Sequence, residues 1–313
     1  MPKGDRDFEE HVRSRTVTPP AILYKYTTAE TARLILSSGK IRFQSPLRYN
    51  DPFDSQWDTL WPISTPDART RKWSLLERAI RDPNSWPSNS DPRFRSAMDR
   101  VRAEITALPE DQRKAKIDKL ILDVLKDEGL PERVVRQYRD MQRRMRVLCL
   151  CESDRPTLMW SHYAGQHRGV VIGFDVAAME NGWRRPVEPV KYAAGPPRLI
   201  DVEAWIHAEV FGCPHPCLDG DEREWALTKH TGWQYEHEWR FVWIDRPGTL
   251  GDYEDCPFPQ NALMEIVSGC RNDLNQSKEL FALALAMNPG VRQYRMSEHP
   301  SRFELVKSEV TCI

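Results

Sequence analysis

The sequence has neither a long apolar run nor an excess of one charge. It contains no stretch of about 18 apolar residues, the length that a membrane-spanning helix needs, and no charged and then apolar leader. Lysine and arginine number 45 and aspartate and glutamate 46, which excludes a general basic field that would draw the whole protein to nucleic acid. We therefore expect a cytoplasmic protein whose partners recognise local features.

The cysteines do not suggest a disulfide framework, because there are seven of them at irregular spacings. Cys213, His215 and Cys217 lie close together and have the side chains of zinc ligands. No second ligand pair follows them at the spacing of a structural zinc site, so we expect no metal.

The usual glycine-rich nucleotide-binding loops and the nucleophile elbow are also missing. The predicted strands and helices do not alternate strictly, which favours an α+β fold with mixed, largely antiparallel sheets. Ile22–Tyr26 is predicted as a first strand, and the following helix is expected to begin after Thr28 and to end at Gly39. We predict that residues 1–20 form a flexible arm and that residues 21–313 form a single domain.

A helical insertion is predicted in this domain at about residues 67–146. Phe94, Met98 and Val101 are four and three residues apart, as on one face of an amphipathic helix, and similar spacings recur further along.

The end of the insertion, residues 133–146, is rich in arginine. A basic helix face can bind phosphates, which makes this segment a weak nucleic-acid candidate. Glu132 and Asp140 interrupt the positive charge, so a solvated helix face is the simpler interpretation.

Two segments concentrate polar and aromatic side chains. The first, Leu158–Gly169, holds a serine, two histidines and a tyrosine immediately before the apolar strand Val170–Asp175. A polar loop that a buried strand positions is a common place for binding or catalytic groups.

The second segment, Trp233–Arg240, sets two acids, a histidine and an arginine among bulky aromatics. If it is a strand, Glu236, Glu238 and Arg240 share one face. Buried charge costs several kcal/mol unless it is paired or used, so this face is the leading candidate for a site. Arg240 has an equally good structural role as the partner of the acids.

Five motifs follow one another along the chain: Tyr24–Tyr26, Asn50–Asp54, Met159–Tyr163, His167–Asp175 and Tyr235–Arg240. Together they resemble the motifs of the bacterial family called domain of unknown function 2971.

The order of strand, capped helix, glycine and strand at the start is also similar to ADP-ribosyltransferases of the DarT and RNA 2'-phosphotransferase kind. That resemblance implies an ADP-ribosyltransferase-like core that takes NAD, although the first strand lacks the histidine or arginine usual in that superfamily. It implies catalytic roles for Glu238, His162 and Tyr163. The NAD-binding residues that it implies are Tyr24, Lys25, Tyr26, Arg42, Ser161 and Arg240.

Three functions remain open at this point. The first is an ADP-ribosyltransferase-like toxin or antiphage effector that acts on a protein or nucleic acid. The second is a metal-independent nuclease that uses His162 or His167 as acid and base, with Arg240 or Lys25 on the phosphate. The third is a binding module without catalysis, and the sequence predicts no oligomeric state for any of them.

Overall fold

The fold was examined in a computed structural model, which describes residues 17–55, 66–126, 139–195, 197, 202–213, 222–246, 248 and 251–310. The chain divides into two compact units. The first comprises Met1–Ser55, Met141–Gly195 and Ala226–Ile313, and the second comprises Gln56–Asp140 and Pro196–Trp225.

The first unit is built on a large, mostly antiparallel sheet. Its described strands are β1 (Ile22–Thr27), β2 (Lys40–Gln44), β3 (Met145–Cys151), β4 (Val170–Asp175), β5 (Val187–Pro189), β8 (Glu238–Ile244), β9 (Tyr253–Pro257), β10 (Leu263–Ser268), β11 (Arg292–Glu298) and β12 (Leu305–Glu309), with β6 (Lys191–Ala193) and β7 (Thr228–His230) in a separate pair. The order in the large sheet is β12-β11-β10-β4-β1-β3-β2-β9, while β8 pairs with both β3 and β5. Within the large sheet, the β10–β11 pair is parallel.

Helices occur in both units. Those described are α1 (Ala29–Ser38), α2 (Pro66–Arg81), α3 (Pro92–Thr106), α4 (Glu110–Lys126), α5 (Thr157–Tyr163), α6 (Val176–Trp183), α7 (Val202–Phe211), α8 (Glu222–Ala226) and α9 (Leu274–Met287). None of these described helices is long and apolar enough to cross a membrane. The molecule is therefore a mixed α+β protein.

The ends of α1 follow directly from its sequence. The Thr28 side chain accepts a hydrogen bond from the backbone of Thr31 and caps the start of the helix. Gly39 ends it with a φ of 65°, a left-handed conformation that glycine adopts without a Cβ clash. Of the three apolar residues expected on its buried face, Ile35 and Leu36 are buried, whereas Leu34 is 63% exposed.

Apolar cores cover both faces of the large sheet. On one face, the alternate residues Leu148 and Leu150 of β3 pack with Phe241 of β8 and with Leu280 of α9. On the other face, Tyr26, Cys151, Met159, Trp160 and Val171 belong to a second cluster. The polar residues of the candidate site lie on this second face.

The second unit has a helical core of its own. Leu76, Ile80, Ile105, Ile121 and Phe211 are buried together there, from α2, α3, α4 and α7.

The helical unit differs in extent from the insertion expected at about residues 67–146. It also takes in Pro196–Trp225, and the chain has already returned to the first unit at Met141. Arg146, expected on a basic helix, is a fully buried residue of β3 whose Nε lies 2.9 Å from Asp245 Oδ2.

Several of the residues named in the sequence analysis are not described by the structure. Arg133 and Arg136 of the basic segment, His215 and Cys217 of the zinc-like segment and residues 1–16 of the arm lie outside the described residues.

Candidate functional site

A gap in the large sheet positions the candidate site. β8 pairs with β3 along its whole length, from Met145 to Cys151. Because β8 takes all of that edge, β1 and β2 must share the other edge of β3. β1 meets it at Cys151 and β2 meets it at Val147. Between these two points the carbonyl of Cys149 accepts a hydrogen bond from Lys25 Nζ at 3.1 Å.

A cavity of about 360 Å³, which we call the β3 cavity, lies at this gap. Aromatic rings, cations and carboxylates all contribute to its wall. The side chains that line it include Tyr24, Lys25, Tyr26, Arg42, Arg48, Tyr49, Asp54, Cys149, Tyr163, Lys229, Glu236 and Glu238.

Arg240 binds two acids of the cavity wall at once. It is fully buried, and its Nε and Nη2 donate to the two oxygens of Glu238 at 2.8 and 3.0 Å. Its Nη1 and Nη2 donate to the two oxygens of Asp54 at 2.9 and 2.6 Å. Planar forks of this type fix both partners in direction as well as in distance.

Lys229 completes the arrangement from β7. Its Nζ donates to Glu238 Oε2 at 3.0 Å, contacts Glu236 Oε2 at 2.5 Å and lies 3.5 Å from Asp54 Oδ2. Asp54, Lys229, Glu236, Glu238 and Arg240 form what we call the acid–base cluster. It contains one more acid than base, and all five residues are buried.

The surroundings shift the pKa values of the two glutamates of the cluster in opposite directions. Burial alone would raise the pKa of Glu238, but the charges of Arg240 and Lys229 outweigh burial and hold that pKa well below its usual value. Burial raises the pKa of Glu236, and Lys229 offsets this only in part. The Tyr163 hydroxyl donates a hydrogen bond to Glu236 Oε1 at 2.6 Å. Glu238 is therefore a fixed negative charge, whereas Glu236 is the better group to accept a proton.

The cavity thiol of Cys149 is held in its protonated form. Burial, followed by repulsion from Glu238, raises its pKa to about 12. Since the thiolate is the reactive form of cysteine, this residue is a wall of the cavity rather than a nucleophile.

Residues 159–241 match the family described as protein of unknown function DUF2971. No curated protein and no solved structure matches the chain. The resemblance to DUF2971 is confirmed over this segment, while the similarity to ADP-ribosyltransferases stays a prediction.

The DUF2971 segment supplies only part of the cavity. It begins within α5 and ends in β8, so it contains Tyr163, Lys229, Glu236 and Glu238. The residues before position 159 that line the cavity, including Tyr24 and Asp54, lie outside the match.

The structure brings many of the predicted site residues together. Those that line the β3 cavity are Tyr24, Lys25, Tyr26, Arg42, Tyr163 and Glu238. Tyr26 has little freedom there, because its hydroxyl donates to the Ser153 carbonyl and its ring packs edge-on against Trp160.

Other predicted residues lie elsewhere. His162 is exposed, with its ring beside Tyr163 and Tyr235. Ser161 Oγ is 3.0 Å from His167 Nε2 and also donates to the carbonyl of Thr157. Neither histidine is among the described residues that line the cavity. Arg240 lies behind the wall, with its guanidinium bound to protein acceptors.

Two backbone expectations for the DUF2971 segment are wrong. Ser161, His162 and Tyr163 lie at the end of α5 rather than in a loop. Residues Thr231–Glu236 form a 3-10 helix, and β8 begins only at Glu238. His237 joins the two with a φ of 43°, and this turn lets Glu236 and Glu238 meet Lys229 together.

Asp54 and Lys229 are the site residues that the sequence reasoning missed. The sequence marks Asn50–Asp54 only as one of the five motifs, and it gives Lys229 no role. The available signal was the position of Asp54 at the end of one of the motifs that resemble the family. Its pairing with Arg240 spans 186 positions, which no local pattern reveals.

Proposed function

We propose that this chain is an ADP-ribosyltransferase-like enzyme that takes NAD into the β3 cavity. The observation that carries the proposal is the composition of that one cavity. It joins tyrosine rings, cationic side chains and a carboxylate that two buried cations keep ionised. A planar ring, a diphosphate and a ribose need these three kinds of partner.

The residues present fit the chemical groups of NAD. Tyr24 and Tyr163 supply ring faces or edges for the nicotinamide, and Glu238 supplies a negative charge for the ribose. Lys25 and Arg42 supply cations for the phosphates. Arg42 is paired with Asp255 at 2.7 Å, but that pair is exposed and therefore weak enough for a phosphate to displace the acid.

The register of the strands suggests an orientation for the ligand. Tyr24 lies opposite Cys151 at one end of the gap, and Gln44 lies opposite Val147 at the other. The two ends are separated by roughly 13 Å at the usual rise of a strand. We place the nicotinamide at the Cys151 end, beside Glu238, and the diphosphate towards Arg42 on β2.

The acid–base cluster suits cleavage of the bond between nicotinamide and ribose. Breaking that bond builds positive charge on the ribose, and a fixed carboxylate stabilises such charge without reorganisation. Glu238 has this property because Arg240 and Lys229 hold it in place and keep its pKa low. Glu236, whose pKa burial raises, is suited to take the proton of the group that receives the ADP-ribose.

Release of nicotinamide from NAD tests the proposal. The wild-type protein should release it, and Glu238→Gln should lower the rate by about 100-fold or more, the usual effect of removing an electrostatic stabiliser. Glu254→Gln on β9 is the matched control, because Glu254 is exposed and does not line the cavity. It should keep the wild-type rate.

Thermal unfolding of the same proteins separates catalysis from binding. A wild-type protein that NAD stabilises but that releases no nicotinamide would contradict the enzymatic claim and favour the binding module. Equal rates in wild type and Glu238→Gln would remove Glu238 from the mechanism.

A further inference from the structure

A second buried charged network lies on the same face of the sheet as the β3 cavity. Its centre is Glu265 on β10, which is 2% exposed. Glu265 Oε1 accepts a hydrogen bond from Lys307 Nζ at 2.7 Å, and its Oε2 lies 3.3 Å from Arg292 Nη2. Lys307 Nζ also lies 2.6 Å from Asp154 Oδ2. The acid–base cluster uses none of these residues.

A glycine connects this network with the cavity. Tyr24 of β1 lies opposite Gly173 of β4, and Gly173 lies opposite Glu265 of β10. A Cβ atom on Gly173 would lie 2.7 Å from Glu265 Cγ and 3.1 Å from Tyr24 Cε1. Glycine weakens a central strand, and it often marks a close approach of neighbouring groups. Here it leaves the space in which Tyr24 and Glu265 meet across β4.

Burial, together with the neighbouring carboxylate of Glu265, raises the pKa of the Tyr24 hydroxyl. Lys307 and Arg292 offset the negative charge of Glu265 and hold its carboxylate in one place. Lys307 Nζ lies 5.8 Å from the centre of the Tyr24 ring. The ring is therefore next to the charged network, and it is also part of the cavity wall.

We propose that Glu265 is a positioning residue, which fixes the ring of Tyr24 for the ligand through the space that Gly173 leaves open. This inference rests on the proposed function, because it assigns Tyr24 to the binding of NAD. It adds a part of the chain beyond the DUF2971 match, since β10 and β12 follow position 241.

A double-mutant cycle on NAD affinity, measured by calorimetry, tests the coupling. Tyr24→Phe keeps the ring but removes the polar group beside Glu265, and it should weaken NAD binding about tenfold, the loss expected when a polar contact no longer orients the ring. Glu265→Gln should weaken it by a smaller factor. The double variant should bind no more weakly than Tyr24→Phe alone, because both changes remove the same interaction. The proposal would be overturned if the affinity losses of the two single variants multiply in the double variant, or if Glu265→Gln binds NAD as tightly as the wild type.

A measurement without ligand distinguishes this inference from the proposed function. The ring-carbon NMR signal of Tyr24, assigned by its loss in Tyr24→Phe, should shift in Glu265→Gln. It should stay in place in Tyr294→Phe, the matched control, because Tyr294 packs under Lys307 and does not line the cavity. If the Tyr24 signal shifts in Glu265→Gln but the wild-type protein does not bind NAD, Glu265 positions Tyr24 and the proposed function is refuted. An unmoved signal would refute the positioning role whether or not NAD binds.

Discussion

Arg240 shows why a charged residue can stand in an apolar strand. Its guanidinium is fully buried, and both Asp54 and Glu238 depend on it for charge balance. Ions of this kind lose several kcal/mol of hydration each on burial, and only close and complete pairing offsets the loss. The arrangement therefore fixes the two acids relative to each other.

Removal of this guanidinium should cost far more than removal of an exposed one. We expect Arg240→Met to lower the free energy of unfolding by about 3 to 5 kcal/mol, because it leaves three buried carboxylates with only Lys229 to balance them. Arg42→Met, which breaks the exposed pair with Asp255, should change it by at most about 1 kcal/mol. Urea unfolding monitored by tryptophan fluorescence measures both values. Similar losses in the two variants would show that Arg240 is not the centre of the cluster.

At the scale of elements, the site depends on where strands stop pairing. β3 is fully paired on the side of β8 and only partly paired on the side of β1 and β2. The cavity occupies that gap, and the turn before β8 brings two glutamates to its wall. His237 makes this turn in a left-handed conformation, which an L-residue other than asparagine or aspartate adopts at a cost.

The left-handed turn at His237, just before β8, predicts how substitutions there change stability. His237→Asn should leave the stability nearly unchanged, because asparagine tolerates the left-handed region. His237→Val should lower the free energy of unfolding by about 1 to 2 kcal/mol, since a β-branched side chain clashes there. Thermal and urea unfolding of the pair check this difference. Equal stability of the two variants would mean that the φ of 43° is not needed for the fold.

At the scale of the whole molecule, the chain combines a sheet-based unit that holds the cavity with a helical unit that has a separate core. The cavity and the acid–base cluster both lie within the first unit. The proposed reaction consumes NAD, and a cell that cannot restrain it would lose NAD or accumulate modified targets.

Expression in a bacterial host tests whether the proposed enzyme acts as a toxin, as the resemblance to ADP-ribosyltransferases led us to expect. Induced wild-type protein should slow growth and lower cellular NAD, whereas Glu238→Gln should do neither at equal protein levels. Glu254→Gln should behave as the wild type, because it changes an acid outside the cavity. Growth inhibition that persists in Glu238→Gln would separate toxicity from the proposed chemistry.

The sequence by itself determined the local features of this protein. The caps of α1 and the strands β1 and β4 depend on residues within a few positions of one another, and the sequence predicted them correctly. The helical spacing of apolar residues between positions 92 and 126 is also a local feature, and the structure has α3 and α4 there. Hydrogen-bonded caps and apolar spacing act over one or two turns, so a linear pattern contains them.

Only the tertiary structure decided which charges share a site. Glu238 and Arg240 stood out in the sequence because buried charge needs a partner, but Asp54 and Lys229 did not. Their pairing depends on which strands become neighbours and on the gap along β3. The backbone between Glu236 and Glu238 was predicted wrongly for the same reason. Alternation favoured a strand there, while the contacts of both acids with Lys229 accompany a turn that no short-range rule predicts.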